Sequence, residues 1–390
     1  KVSKPEINVR EKISELDKPS GTAGQAMLAA ETPQEQFNLI SAGRRNLLIN
    51  GDMRIAQAGT SINTIGTASY QACDRWRIQT NKNQTTHTLA QVEDAPEGFN
   101  YSLKLTVGVG ATSTGTDFGR LYQRLEVQDV WQFGFNTSSP KPFTFSFWVK
   151  SSITGTYGGT FSANGTGVYV FSYTVNAANV WEYKTITVNG IKTLGQDTAD
   201  NGIGFGVHFD LGEGPGRSHT EGVQPTVNAG SMGLTGGVKI LATSGATWQI
   251  TGVQLEVGKV ATPFEHRSYG EELALCERYY QNSFDAGEAP NVSSFNCIYL
   301  AAQPYSGSNI AGLSAKLSTP MRATPSVTIW TASPSWSNTA NRMSYYSGSW
   351  ANAAVTLHES TSSKIVSIGS SGVSSSTKLV QFNFEADAEL

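Results

Sequence analysis

The sequence predicts a mainly β chain: an antiparallel β-sandwich, then a smaller C-terminal β-domain, with a short helical N-terminal connector ahead of both. Three observations predict it. Apolar and polar residues alternate with a period of two in one run after another. No helical segment lies between those runs to serve as the crossover of a parallel sheet. The composition suits strands and turns, with 40 Gly among 390 residues and 15% charged residues, where ordinary globular chains carry about a quarter charged.

Residues 1–45 read as connector. Val9, Ile13 and Leu16 make a short apolar stripe that Pro19-Ser20-Gly21 breaks. Thr32-Pro33-Gln34-Glu35 has a Thr cap, Pro at the first helical position and Glu three beyond the cap. Phe37 and Ile40 follow on one face, and Gly43 suits the helix end. These stripes have no core of their own, so the segment is expected to bundle copies of the chain around an axis as a homotrimer.

Residues 46–263 read as the sandwich. Leu103, Leu105 and Val107 alternate with Lys104 and Thr106. Phe143, Phe145, Phe147 and Val149 alternate with Thr144, Ser146 and Trp148. Ile203, Phe205, Val207 and Phe209 alternate with two glycines and His208. Residues 121–127, 168–175, 181–188 and 238–241 add candidate strands, and 151–160 and 212–216 read as turn-rich gaps. In the closing strand the apolar parity changes across Thr251-Gly252, as at a bulge. Residues 264–283 read as a linking helix. Ser268 and Glu271 have capping-box spacing, and Tyr269, Leu273, Cys276 and Tyr280 form a stripe. Residues 284–390 read as the last domain, with strands near 295–300, 327–329, 355–357, 364–368 and 378–384. A long polar, aromatic-bearing stretch, 331–351, reads as loop.

Composition and motifs exclude several functions. A net charge of -3 with dispersed Lys and Arg argues against nucleic acid. No apolar run is long enough to span a bilayer, and no signal peptide is seen. The chain begins at Lys1, so it is expected to be part of a longer polypeptide. Cys73, Cys276 and Cys297 have neither metal spacing nor an even count, and read as buried free thiols. The five histidines fit no metal motif, and no cofactor or metal is called for. Gly202, Gly204 and Gly206 lack the following helix of a phosphate loop, and no G-x-S-x-G elbow occurs. Glycan hydrolysis needs paired carboxylates. Asp210 with Glu213, or Asp117 with Glu126, are the pairs on offer. The expectation is a protein that is not an enzyme.

Several stretches carry a resemblance. TGVQLEVGKVATPFEHRSYGEELALCERYYQ (Thr251 to Gln281) resembles the join between a carbohydrate-binding-module-like jelly roll and a small C-terminal β-domain in bacteriophage tail-fibre and appendage proteins. RRNLLINGDMRIAQAGTS (Arg44 to Ser61) and ACDRWRI (Ala72 to Ile78) look like that family's sandwich entry. PSGTAGQAMLAAETPQEQFNLI (Pro19 to Ile40) is similar to its connector, and FEADAEL (Phe384 to Leu390) to its chain end. The resemblance implies a jelly-roll sandwich in a virion structural protein of a tailed phage, assembled in the host bacterial cytoplasm. Its partners would be other phage tail proteins and a host-surface polysaccharide or lipopolysaccharide. A purely structural tail adaptor and a polysaccharide depolymerase spike are the alternatives.

The residues that fit recognition are aromatics among amides and hydroxyls. Ring faces stack on sugar C–H faces while neighbours bond the hydroxyls. Trp330, Trp336, Asn338, Asn341, Arg342, Tyr345, Tyr346 and Trp350 are the densest such group. Tyr157 is a second candidate, in a Gly-rich stretch read as loop. Trp148 is on the polar parity of its strand and is expected to pack against another subunit or domain.

Overall fold

The computed structural model describes residues 45–65, 69–81, 85–228, 230–284, 297–302, 309–331, 340–358, 361–371, 373–374, 376–377 and 379–390. Residues 1–44, which hold nearly all of the expected connector, lie outside them, as do Trp336 and Asn338. Asn46 to Leu390 form one compact unit.

Among the described residues the chain runs through β1 (Ser61–Ile65), β2 (Ser69–Cys73), β3 (Trp76–Thr80), β4 (Thr86–Val92), β5 (Ser102–Val109), β6 (Gly119–Glu126), β7 (Phe143–Ser151) and β8 (Gly155–Ser162). It continues through β9 (Thr166–Val175), β10 (Glu182–Val188), β11 (Ile203–Asp210), β12 (Ser218–His219), β13 (Gly222–Asn228), β14 (Gly233–Leu234) and β15 (Thr247–Val257). After helix α1 (Tyr269–Glu277) come β16 (Tyr280–Asn282), β17 (Ile298–Ala301), β18 (Ile310–Lys316), β19 (Ser326–Thr331), β20 (Arg342–Tyr346), β21 (Trp350–Leu357), β22 (Ile365–Ser370) and β23 (Leu379–Asp387).

The first sheet has the order β1-β4-β5-β15-β7-β10 and the second β13-β9-β8-β11-β6-β3-β2. Every pairing within them is antiparallel. The predicted mainly β, antiparallel sandwich is therefore the observed one. The inward parity of each strand supplies one aromatic core. Phe209 is at its centre, with Phe145, Phe147, Phe171, Tyr173, Trp76 and Trp248 around it at ring separations of 5.1–6.4 Å. Edge-on contacts dominate because ring edges are positive and ring faces negative. The parity change in the closing strand is a register shift between Thr251 and Gln254, where Gly252 has a φ of +60°.

A second core lies in the C-terminal sheet, built from Ile329, Met343, Val366, Ile368, Val380, Phe382 and Phe384 among others. Its long strand β23 pairs with β16, β17, β19 and β20. A third, smaller cluster of Ile49, Ile55, Cys276 and Tyr279 marks the joint.

Four expectations need correction. Residues 155–160, read as part of a gap, belong to strand β8. Gly158 and Gly159 are there for closeness, since an added Cβ would come within 2.2 Å of Leu234 Cβ and of Phe171 Cζ. Residues 238–241, read as strand, give a short 3-10 turn at Ile240–Ala242. The helix spans only Tyr269–Glu277, so Tyr280 belongs to β16, and Tyr269 is exposed rather than the start of a buried stripe. The loop read at 331–351 contains β20 and the start of β21, a hairpin turning at Gly348, whose φ is +111°. The capping box is as predicted: Glu271 N–H donates to Ser268 Oγ, and Ser268 N–H donates to the Glu271 carboxylate.

Sequence stretches far apart converge on the joint. Asn46 N–H donates to Glu265, and Asn50 N–H donates to Glu272. Gln57 donates to the Asp74 carboxylate by its backbone and side chain, and to Tyr280 O. Arg278 holds both oxygens of Glu126 at 2.7 Å, and Tyr279 Oη donates to the same carboxylate. Arg75 pairs with Glu389 and lies 3.4 Å over the Tyr279 ring. Partners for these buried charges come from both cores, so the joint is fixed by bonds of defined direction as well as by apolar contact.

Candidate functional site: an aromatic groove on the outer face of the first sheet

Strand β7 buries Phe143, Phe145, Phe147 and Val149, so its other parity faces away from the core. Trp148 is on that parity. Its registered partner on β10 is Tyr183, which is 44% exposed, and the two rings lie 5.3 Å apart at 50°. The neighbouring edge strand thus adds a second ring to the first.

Below this pair runs a groove of about 630 Å³, open to solvent. Its floor includes Ser146 and Gly252, and its far wall is Phe99, Phe264 and His266. Phe99 meets Phe264 edge-on at 5.1 Å, and His266 is 5.4 Å from Phe99. Gly252 is required twice. Its backbone is left-handed, and a Cβ there would come within 2.6 Å of Phe99 Cζ and 3.1 Å of Trp148 Cδ1. Next along the outer face, Lys150 pairs with Asp94 and lies 5.2 Å over the Trp181 ring. The Lys150 hydrogen bond holds Asp94 below the usual carboxylate range.

The residues singled out from sequence fall in three places. Tyr346 and Trp350 are opposite each other on the β20–β21 hairpin, 39% and 37% exposed, with rings 5.4 Å apart. Arg342 and Asn341 are exposed on the same hairpin, Asn341 with a φ of +59°. Trp330 is half-buried, its Nε1 donating to Glu385, and Tyr345 packs against the C-terminal core. Tyr157 is a correction: it is 0% exposed inside the sandwich, its hydroxyl bonded to Ser151 Oγ and Ile153 O, so it presents no face to a ligand.

Sequence reasoning reached Trp148 but not its companions. The available signal was that Tyr183, with Thr185 and Thr187, is on the exposed parity of its strand. Phe99, Phe264 and His266 gave none, because only the tertiary fold brings them together.

The acid pairs considered for hydrolysis are structural. Asp210 accepts from Lys239 and from the backbone of Glu213 and Leu234. Burial pushes Glu213 up to about 8, although Arg120 Nε is only 2.9 Å away. A raised carboxyl suits a general acid, yet this side chain is 0% exposed and no substrate reaches it. Asp117 accepts from Thr114 in a turn, and Glu126 belongs to the joint.

No family model and no curated protein matches this chain. Solved structures it resembles include carbohydrate-binding modules and a tailspike domain. TmCBM61 in complex with beta-1,4-galactotriose is 12% identical, the likeness covering 55% of this chain and 100% of that one, with a TM-score of 0.29. The family 11 carbohydrate-binding module of the Clostridium thermocellum cellulosomal cellulase Lic26A-Cel5E is 13% identical, with 52% and 99% covered and a TM-score of 0.25. The enzymatically active domain of bacteriophage CBA120 tailspike protein 4 is 12% identical, with 55% of this chain but 21% of that one covered and a TM-score of 0.28. At these scores the likeness carries no argument, and the fold rests on the two sheets themselves.

Proposed function

We propose that this chain is a non-catalytic glycan-binding appendage, and that it serves a tailed-phage virion by holding sugar sites against the host surface. The observation that supports it most is the Trp148–Tyr183 pair standing over an open groove on an otherwise polar sheet face. Such a pair offers large, stiff, amphipathic area to the C–H face of a pyranose ring, and the exposed His266 and Glu97 at the groove provide hydroxyl partners. The Tyr346–Trp350 hairpin is a second exposed aromatic platform, in the C-terminal domain. Support for the virion role is the resemblance in the four stretches that meet at the joint. Residues 1–45 would gather three chains, and linking copies multiplies weak single contacts by about 10² to 10⁴. Other tail proteins and a host polysaccharide or lipopolysaccharide are the partners this implies.

The test is affinity electrophoresis through gels containing bacterial surface polysaccharides or neutral gluco-, galacto- and manno-oligosaccharide conjugates. At least one should retard the wild-type protein and leave Trp148→Ala unretarded. Reducing ends released by the purified protein would instead support the depolymerase reading.

A further inference from the structure

We infer that Glu265 and Arg267 are positioning residues for the groove: they tie the strap of residues 261–268 to the domain joint and so set the wall that Phe264 and His266 present to a sugar. The inference rests on reading that groove as the sugar site.

The strap follows β15 and precedes α1, outside any sheet, so no ladder of backbone bonds fixes it. Its side chains divide by destination. Ala261, Thr262, Pro263, Phe264 and His266 line the groove. Glu265 and Arg267 turn instead to the sandwich entry. The Glu265 carboxylate accepts Asn46 N–H, and Glu265 N–H donates to Gln254 Oε1 at 2.9 Å. Arg267 donates to Leu48 O at 3.2 Å, to Asn46 O, and to Glu272 Oε1 at 3.1 Å. Glu272, on α1, simultaneously accepts Asn50 N–H. At the other end Thr262 is pinned to Glu256 through its N–H at 2.9 Å and its hydroxyl at 2.6 Å.

The strap is therefore held at both ends, and the two rings between the ties meet Phe99. A wall held in place before the ligand arrives loses less freedom on binding. The ties that hold it are the ones that join the sandwich to α1. Groove affinity and joint geometry are then coupled, and the coupling is reciprocal.

Amide hydrogen exchange on the intact, ligand-free protein tests this. Glu265→Ala and Arg267→Ala should speed exchange at 261–266 and at 97–99 by about tenfold, with the rest of the sandwich unchanged. Glu265→Gln keeps an acceptor for Asn46 and should match the wild type. Calorimetry with the neutral oligosaccharides should show the two Ala variants binding about tenfold more weakly. If no oligosaccharide binds the wild type, the sugar reading falls and the exchange result alone decides the coupling. Unchanged exchange at 261–266, or an equal rise across the whole sandwich, overturns the inference.

Discussion

Arg75 and Glu389 form an ion pair across 314 positions of chain, with side chains only 1% and 2% exposed. Removing one partner leaves the other charged and buried without its counter-charge. Arg75→Ala and Glu389→Ala are each expected to lower stability by about 3–5 kcal/mol, and Arg75→Met combined with Glu389→Leu by much less. Equilibrium urea unfolding of the three variants measures the difference.

Asp74 gives a pH signature to the same joint. Burial pushes its carboxyl from the ordinary 3.8 up to about 6, against the hydrogen bonds from Gln57. A carboxyl that holds its proton more tightly when folded contributes stability fully below its unfolded value, and that contribution is lost as pH rises through the folded one. Between pH about 4 and 6 the loss amounts to about 3 kcal/mol. Glu126 runs the other way. Burial would raise it, yet the bonds from Arg278 and Tyr279 hold it below its usual range, so its contribution is present above the unfolded value and lost as pH falls through the folded one. Asp74→Asn should remove the Asp74 part alone. Unfolding free energies of wild type and variant should diverge between pH about 4 and 6 and differ by a constant amount above about pH 6.

Gly252→Ala should cost about 1–3 kcal/mol, because the residue has a φ of +60° and its new Cβ meets Phe99 and Trp148. The rings must shift to admit it. Thermal unfolding reports the cost, and near-ultraviolet circular dichroism reports the altered aromatic packing.

Deleting residues 1–45 is expected to convert a trimer into a monomer while the unit from Asn46 to Leu390 stays folded. Sedimentation velocity over a range of concentrations checks this. A full-length chain that sediments as a monomer at every concentration removes the trimeric arrangement.

The sandwich was legible wherever apolar and polar residues alternate along a strand. Phe143 to Val149 and Leu103 to Val107 do so because one parity enters the apolar core and the other lies on the outer face. Strand β8 was missed because Gly155, Gly158 and Gly159 interrupt its alternation, and those at 158 and 159 answer close neighbours rather than a turn. The capping box was readable because it is local, spanning Ser268 to Glu271. The joint's charges were visible only as conspicuous residues inside quoted motifs. Which acid met which base depended on how distant stretches of chain pack together, and no spacing encodes that. The groove divides the same way: Trp148 stands out by parity, while its opposite wall comes from two distant segments.

The claim on which the functional account turns is that Trp148 and Tyr183 bear the sugar. Its most direct test is titration calorimetry of a polysaccharide that retards the wild type, run on Trp148→Ala, Tyr183→Ala and Trp350→Ala with unfolding temperatures recorded alongside. The account predicts binding abolished in the first, weakened at least about tenfold in the second and largely kept in the third, with all three as stable as the wild type. Undiminished binding by Trp148→Ala, or binding lost only in Trp350→Ala, would contradict it.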